Sequence, residues 1–198
     1  MTGALVAFEG LDQSGKETQA RRLQARCETA GRRVEFLAFP CYQTAIAQEI
    51  AAALGGQRAY APDVLQLLFV ANRYEYRARI EQAMAEGAVV ICDRYAASSI
   101  AYGEAFGVDG AWLADAQRFL PRPTVTVLLD IAVERAAQRK RANRDHFERD
   151  LALLTRVRAS YQRQAAADAS WVVIDASHDI DTVAGAVSAA IDARLGLR

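Results

Sequence analysis

The chain is predicted to form an α/β fold of three layers, a five-stranded parallel sheet flanked by helices. Three observations point there. Five short apolar runs, rich in branched and aromatic residues, alternate with segments of helical periodicity, and such alternation builds a parallel sheet with helices on both faces. The runs are continuously apolar, as strands buried on both sides are, rather than alternating apolar and polar. The first run leads directly into Gly10-x-x-x-x-Gly15-Lys16 and then a helical pattern, the strand–loop–helix setting of a phosphate-binding loop.

The elements follow in order. A strand over 5–9 opens the chain, and a helix over 16–30 starts at Lys16, with Gly31 placed to end it. A second strand over 34–39 runs into Pro40, Cys41 and Tyr42. Helices are expected over 44–54 and 63–86, the latter ended by Gly87. The third strand, 88–92, leads into Asp93-Arg94-Tyr95. A helical stretch over 96–119, broken near Gly107–Gly110, stops at Pro121 and Pro123 before the fourth strand, 124–129. Helices over 131–141 and 147–167 bracket a basic segment, read as a short lid at about 139–148. A strand over 171–175 and a helix over 180–195 complete the pattern. Without a linker or internal repeat, 1–198 reads as one domain.

Lys plus Arg and Asp plus Glu number 24 each, so no global field directs the chain to a nucleic acid or a membrane surface. All the cations except Lys16 and Lys140 are arginine. Cys27, Cys41 and Cys92 are an odd, widely spaced set without CxxC, which fits a reducing cytoplasm. Cys92 ends a buried strand, and Cys27 reads as helix surface or core filler. No apolar stretch is long enough to span a bilayer. His146 and His178 are too few and too far apart for a metal site.

The glycines let the loop of Gly10, Leu11, Asp12, Gln13, Ser14 and Gly15 curl so that successive N–H groups face one concavity. The following helix adds its positive end, and Lys16 a mobile charge for outer phosphates, so a nucleoside triphosphate is the expected guest. Glu17 stands where a hydroxyl usually ligates magnesium, with Thr18 next. Ligands of open α/β sheets sit beyond the carboxyl ends of the strands. Every chemically interesting cluster falls on that edge: the loop, Phe39-Pro40-Cys41-Tyr42, Asp93-Arg94-Tyr95, and Asp130 leading to Arg139, Lys140, Arg141 and Arg144.

Together these residues resemble the thymidylate kinase family, over essentially the whole chain. The motifs are Phe8-Glu-Gly-Leu-Asp-Gln-Ser-Gly-Lys16, Phe39-Pro40, Leu67-Leu-Phe-Val-Ala-Asn-Arg73, Asp93-Arg94-Tyr95 with Ser98 and Tyr102, and a basic lid ending Arg144-Asp-His-Phe-Glu148. The resemblance implies the P-loop kinase fold and phosphorylation of dTMP to dTDP by ATP with Mg2+, in a cytoplasmic homodimer. It assigns ATP to residues 10–18 and dTMP to Asp12, Phe39, Pro40, Tyr42, Phe69, Arg73, Arg94, Ser98, Ser99 and Tyr102. Asp12 and Asp93 would serve the metal. Lys16, Arg94 and an arginine among Arg139, Arg141 and Arg144 would act in catalysis. Phe69 and Arg73, four apart on a helix, would stack on and hydrogen-bond thymine, though Phe69 alone also fits core packing. Tyr102 would disfavour a ribose, or pack under the lid.

Several positions depart from the family pattern. Gln13 replaces a P-loop arginine found in some members, so a lid arginine is expected to supply that charge. Tyr42 stands where others carry a phosphate-binding arginine. Gly103 replaces a common glutamine, leaving one base or hydroxyl contact to Ser98 or Ser99. Rival readings are a nucleotide-binding switch, against which the guanine-reading Asn-Lys-x-Asp is absent, an inactive relative, and a kinase for dUMP or dCMP.

Overall fold

The computed structural model describes residues 3–139 and 150–196. Five strands, β1 (Ala4–Glu9), β2 (Val34–Ala38), β3 (Val89–Asp93), β4 (Val125–Asp130) and β5 (Trp171–Asp175), form one sheet in the order β2-β3-β1-β4-β5. Every pairing is parallel. β1 lies at the centre, with Phe8 opposite Asp93 on one side and Val127 on the other. The loops after β1 and β3 therefore leave the sheet side by side.

Alternation along β1 divides the core. Val6 and Phe8 face one layer, with α1 (Lys16–Thr29) and α9 (Ile180–Leu195), where Leu23, Val183 and Ile191 are buried. Leu5 and Ala7 face the other, against Ile80, Tyr76 and Phe39. A third cluster packs Leu11 and Leu128 against α5 (Ala96–Ala105) and α8 (Leu151–Ala167). Cys27 and Cys92 both lie in the core, so Cys27 is filler rather than surface.

The remaining helices are α2 (Ala45–Leu54), α3 (Pro62–Glu75), α4 (Arg77–Ala85), α6 (Gly110–Ala116) and α7 (Val133–Arg139). The helix expected over 63–86 is two helices, a correction that falls on Tyr76. Its backbone (φ −102, ψ 0) ends α3 and begins α4, and its N–H donates to the Arg73 carbonyl three residues back at 3.1 Å. Apolar spacing carries through such a joint. The joint itself is seen only in tertiary packing, where the Tyr76 ring meets Phe39 edge-on at 5.8 Å. The break expected near Gly107 is present and separates α5 from α6. No helix among the described residues is long and apolar enough to cross a membrane.

Candidate active site

The phosphate-binding loop begins where β1 comes close to β4. Gly10 has φ +139, and a Cβ there would lie 2.6 Å from the Leu129 carbonyl oxygen, so only glycine fits. Gln13 (φ 66) and Gly15 (φ 93) turn the loop back into α1. Lys16 is buried, and its Nζ donates to the Leu11 carbonyl at 2.8 Å. Burial lowers its pKa to about 8, assisted by the Arg94 charge and opposed by Asp12, Asp93 and Glu9. Ser14 Oγ and Asp93 Oδ1 are buried in this neighbourhood without hydrogen-bond partners. The cleft above the loop is lined on one flank by Arg139, by the β5–α9 connection with Ala176 and His178, and by Ile180 at the start of α9. Arg139 donates to the Gln13 carbonyl at 3.2 Å and the Ala176 carbonyl at 2.8 Å. Glu17 is largely exposed, 3.9 Å from Arg21, and leaves the metal position of the usual motif without a hydroxyl.

A second cavity lies on the β2–β3 side, and Asp12 and Arg94 line both. Arg94 takes a left-handed backbone (φ 63) straight after β3, a strained conformation for a residue with a Cβ. Its guanidinium donates to the Gly10 carbonyl (3.2 Å), Ser98 Oγ (3.3 Å) and Tyr161 Oη (3.3 Å), and pairs closely with Asp12. Tyr102 donates to the other Asp12 oxygen at 3.2 Å. Burial pushes the Asp12 carboxyl up, but Arg94 and Lys16 outweigh it and hold it well below the usual carboxylate range.

Beneath Arg94 lies Glu9, fully buried at the end of β1. It accepts from the Tyr95 N–H (2.8 Å), Ser98 Oγ (2.6 Å) and Tyr161 Oη (3.1 Å). Burial raises its pKa, against the pull of Ser98, Arg94 and Arg73. Ser98 and Tyr161 thus bridge the carboxylate to Arg94. Arg73, also buried, donates to Ser99 Oγ at 2.7 Å and Gln117 Oε1 at 3.4 Å. Asn72, its neighbour on α3, accepts from the Cys41 N–H at 2.9 Å and holds the turn that presents Tyr42.

The expected loop residues from Asp12 to Thr18 line the first cleft together with Asp93 and Arg94. The second cavity gathers Asp12, Phe39, Pro40, Tyr42, Phe69, Arg73, Arg94, Ser98, Ser99 and Tyr102, and so every residue expected to hold the acceptor. Ser98 and Ser99 line it with hydroxyls already engaged by Glu9 and Arg73. Arg139 reaches the first cleft, whereas Arg141 and Arg144 lie outside the described residues. Glu9, Tyr161, Gln66 and Gln117 were not singled out from sequence. For Glu9 a signal existed, a carboxylate in an otherwise apolar strand. Tyr161 and Gln117 are polar residues in helices far along the chain, and their spacing carries no such mark.

Comparison with known proteins identifies the family. A family model described as thymidylate kinase matches residues 8–187. The thymidylate kinase of Arabidopsis thaliana is 35% identical over 91% of this chain and 68% of its own. That of Homo sapiens is 31% identical over 91% and 86%, and that of Thermomicrobium roseum 36% over 94% and 93%. The solved thymidylate kinase from Candida albicans superposes with a TM-score of 0.89 at 26% identity, covering 100% of this chain and 94% of that one.

Proposed function

Since the chain belongs to the thymidylate kinase family, we propose that it transfers the terminal phosphoryl group of ATP to dTMP, with the donor in the P-loop cleft and the acceptor in the second cavity. The observation that carries this assignment is the sharing of Asp12 and Arg94 by both cavities. Two anions bound on either side would meet at a fixed guanidinium, and in phosphoryl transfer positioning and charge neutralisation are most of the catalysis.

Lys16 and the loop N–H groups hold the donor phosphates. Arg94 takes the acceptor phosphate, kept in line by Glu9, Ser98 and Tyr161. Tyr42 offers a hydroxyl without charge at the cavity mouth, where it is 54% exposed. Phe69 and Arg73 face the base, and Tyr102 with Asp12 the sugar. No general base is required, because the acceptor oxygen is already anionic. A cation from the 139–148 segment, from Arg139, Arg141 or Arg144, offsets the charge that Gln13 cannot. The fold implies magnesium, and the residues fit it. Asp93 Oδ1 is a buried, unpartnered oxygen beside the loop, whereas Asp12 is engaged by Arg94 and Tyr102. No cluster of three or more metal-binding side chains exists among the described residues. When bound, magnesium would offset negative charge on the donor phosphates.

The proposal extends to one domain over 1–198 and a homodimer packed through helices of the 44–86 and 96–119 regions, a reading supported by exposed Val64 and Leu67 on α3. It extends also to a cytoplasmic location, which the free thiols of Cys27, Cys41 and Cys92 support. The experiment is coupled ADP release with ATP and dTMP, with dUMP, dCMP, UMP and AMP as competing acceptors. Turnover fastest with dTMP is expected. A faster rate with UMP or AMP, or none with any acceptor, would overturn the proposal.

A further inference from the structure

We propose that Gln66 reads the edge of the pyrimidine base; the inference rests on the dTMP reading above. Gln66 lies on α3 three residues before Phe69 and seven before Arg73, so the three share one helix face. All three line the acceptor cavity. Gln66 is only 3% exposed, yet among the described residues its amide makes no hydrogen bond. Its neighbours behave differently. Asn72 is bonded to the Cys41 backbone and Glu75, and Gln117 to Arg73 and the Ala96 and Leu113 carbonyls. Nor is the Gln66 amide among the buried polar atoms sealed off without a partner. Its residual opening is the cavity it lines. An amide that opens only into this cavity takes its hydrogen-bond partner from whatever fills the cavity, water or ligand.

Gly103 supplies the second observation. On α5, a Cβ at this position would come within 2.2 Å of Leu113 Cδ1 and 3.4 Å of Gln66 Cγ. Leu113 is fully buried on α6, so a side chain at 103 would have to displace its terminal methyl to reach the base, and the Gln66 stem borders the approach instead.

The chemistry is complementary. The thymine imide edge presents a carbonyl beside N3–H, and a primary amide presents a donor beside an acceptor. Arg73 has donors only, so it can serve a carbonyl but cannot accept from N3–H. Gln66 supplies that acceptor.

The test measures calorimetric Kd for dTMP and for its N3-methyl analogue, with the wild-type protein, Gln66→Leu and Gln66→Met. Both substitutions keep the side chain's bulk while removing the amide, and melting curves establish that each variant is folded. The expected result is a loss of about tenfold in dTMP affinity in each variant, the scale of an unmet buried hydrogen bond. The analogue, which has no donor at N3, should bind wild type and variants alike, so the preference for dTMP collapses. An unchanged dTMP Kd in either folded variant, or an equal loss for both ligands, overturns the inference and makes Gln66 a packing residue. Failure of the wild type itself to bind dTMP would instead sink the kinase reading.

Discussion

A buried ammonium is unfavourable until an anion arrives, and Lys16 lies in that condition. Its pKa of about 8, lowered chiefly by burial, describes the protein without bound phosphates. Phosphate oxygens would raise it again. Below pH 8 the free protein already carries the charge and nucleotide binding takes up no proton. Above pH 8 the proton must be taken up on binding, so ATP affinity should fall by up to about tenfold per pH unit. Calorimetry in buffers of different ionisation enthalpy would detect that proton, and affinity flat from pH 7 to 9.5 would contradict the assignment. Lys16→Ala should reduce turnover to below a tenth of wild type, because the backbone nest alone leaves the migrating charge uncompensated. Glu9 is the buried carboxyl group near Arg94 and Arg73, its pKa raised by burial. Glu9→Ala is expected to cost about 3 kcal/mol or more of stability by leaving the Tyr95 N–H and the Ser98 and Tyr161 hydroxyls without their buried acceptor. Glu9→Gln keeps the shape and an acceptor for the Tyr95 N–H, while its NH2 faces Ser98 and Tyr161, whose hydroxyls then accept instead of donating. It should unfold near the wild-type temperature while raising KM for dTMP more than it lowers kcat, since what it disturbs is Arg94. Steady-state kinetics beside a melting curve would separate the two effects.

At the scale of elements, the geometry turns on what each strand end delivers. β1 delivers the loop and β3 delivers Arg94, and adjacent parallel strands bring them together at the Phe8–Asp93 pairing. The segment after α7 works differently. α7 ends at Arg139, which is tied to the Gln13 and Ala176 carbonyls, and the arginines beyond it lie outside the described residues. Gln13 carries no charge, yet the transition state spreads negative charge over the bridging oxygens. One of Arg139→Ala, Arg141→Ala and Arg144→Ala should therefore lower kcat by at least about 10² with much smaller changes in KM, the signature of an interaction made mainly in the transition state. Three variants with near-normal kcat would move that role to the metal or to Lys140. For Arg139, a rise in the KM for ATP instead would fit its bonds to the loop and the β5–α9 connection.

For the molecule as a whole, two cavities meeting at one guanidinium make a prediction about global stability. Each ligand binds the folded state alone, so a concentration of 100 Kd should stabilise it by about 2.7 kcal/mol, read as a rise in Tm. Arg94→Ala should abolish the shift given by dTMP and leave most of that given by a non-hydrolysable ATP analogue. Equal loss of both shifts would mean that Arg94 supports the fold rather than the acceptor. The sequence by itself determined a good deal here. Alternating apolar runs marked five parallel strands, and the glycine–lysine loop identified the phosphate cleft. The family resemblance also named residues that line one cavity, because strand ends and a single helix face bring them together. Tertiary structure decided what periodicity does not encode. Tyr76 divides one helical pattern in two because its ring packs on Phe39. Ser98 and Ser99 line the cavity yet turn their hydroxyls to Glu9 and Arg73, and Leu113 crowds position 103. Tyr161 reaches Glu9 across 152 positions of sequence. Such contacts arise from side chains sharing a volume, and that volume exists only once the sheet and its helices have closed around it.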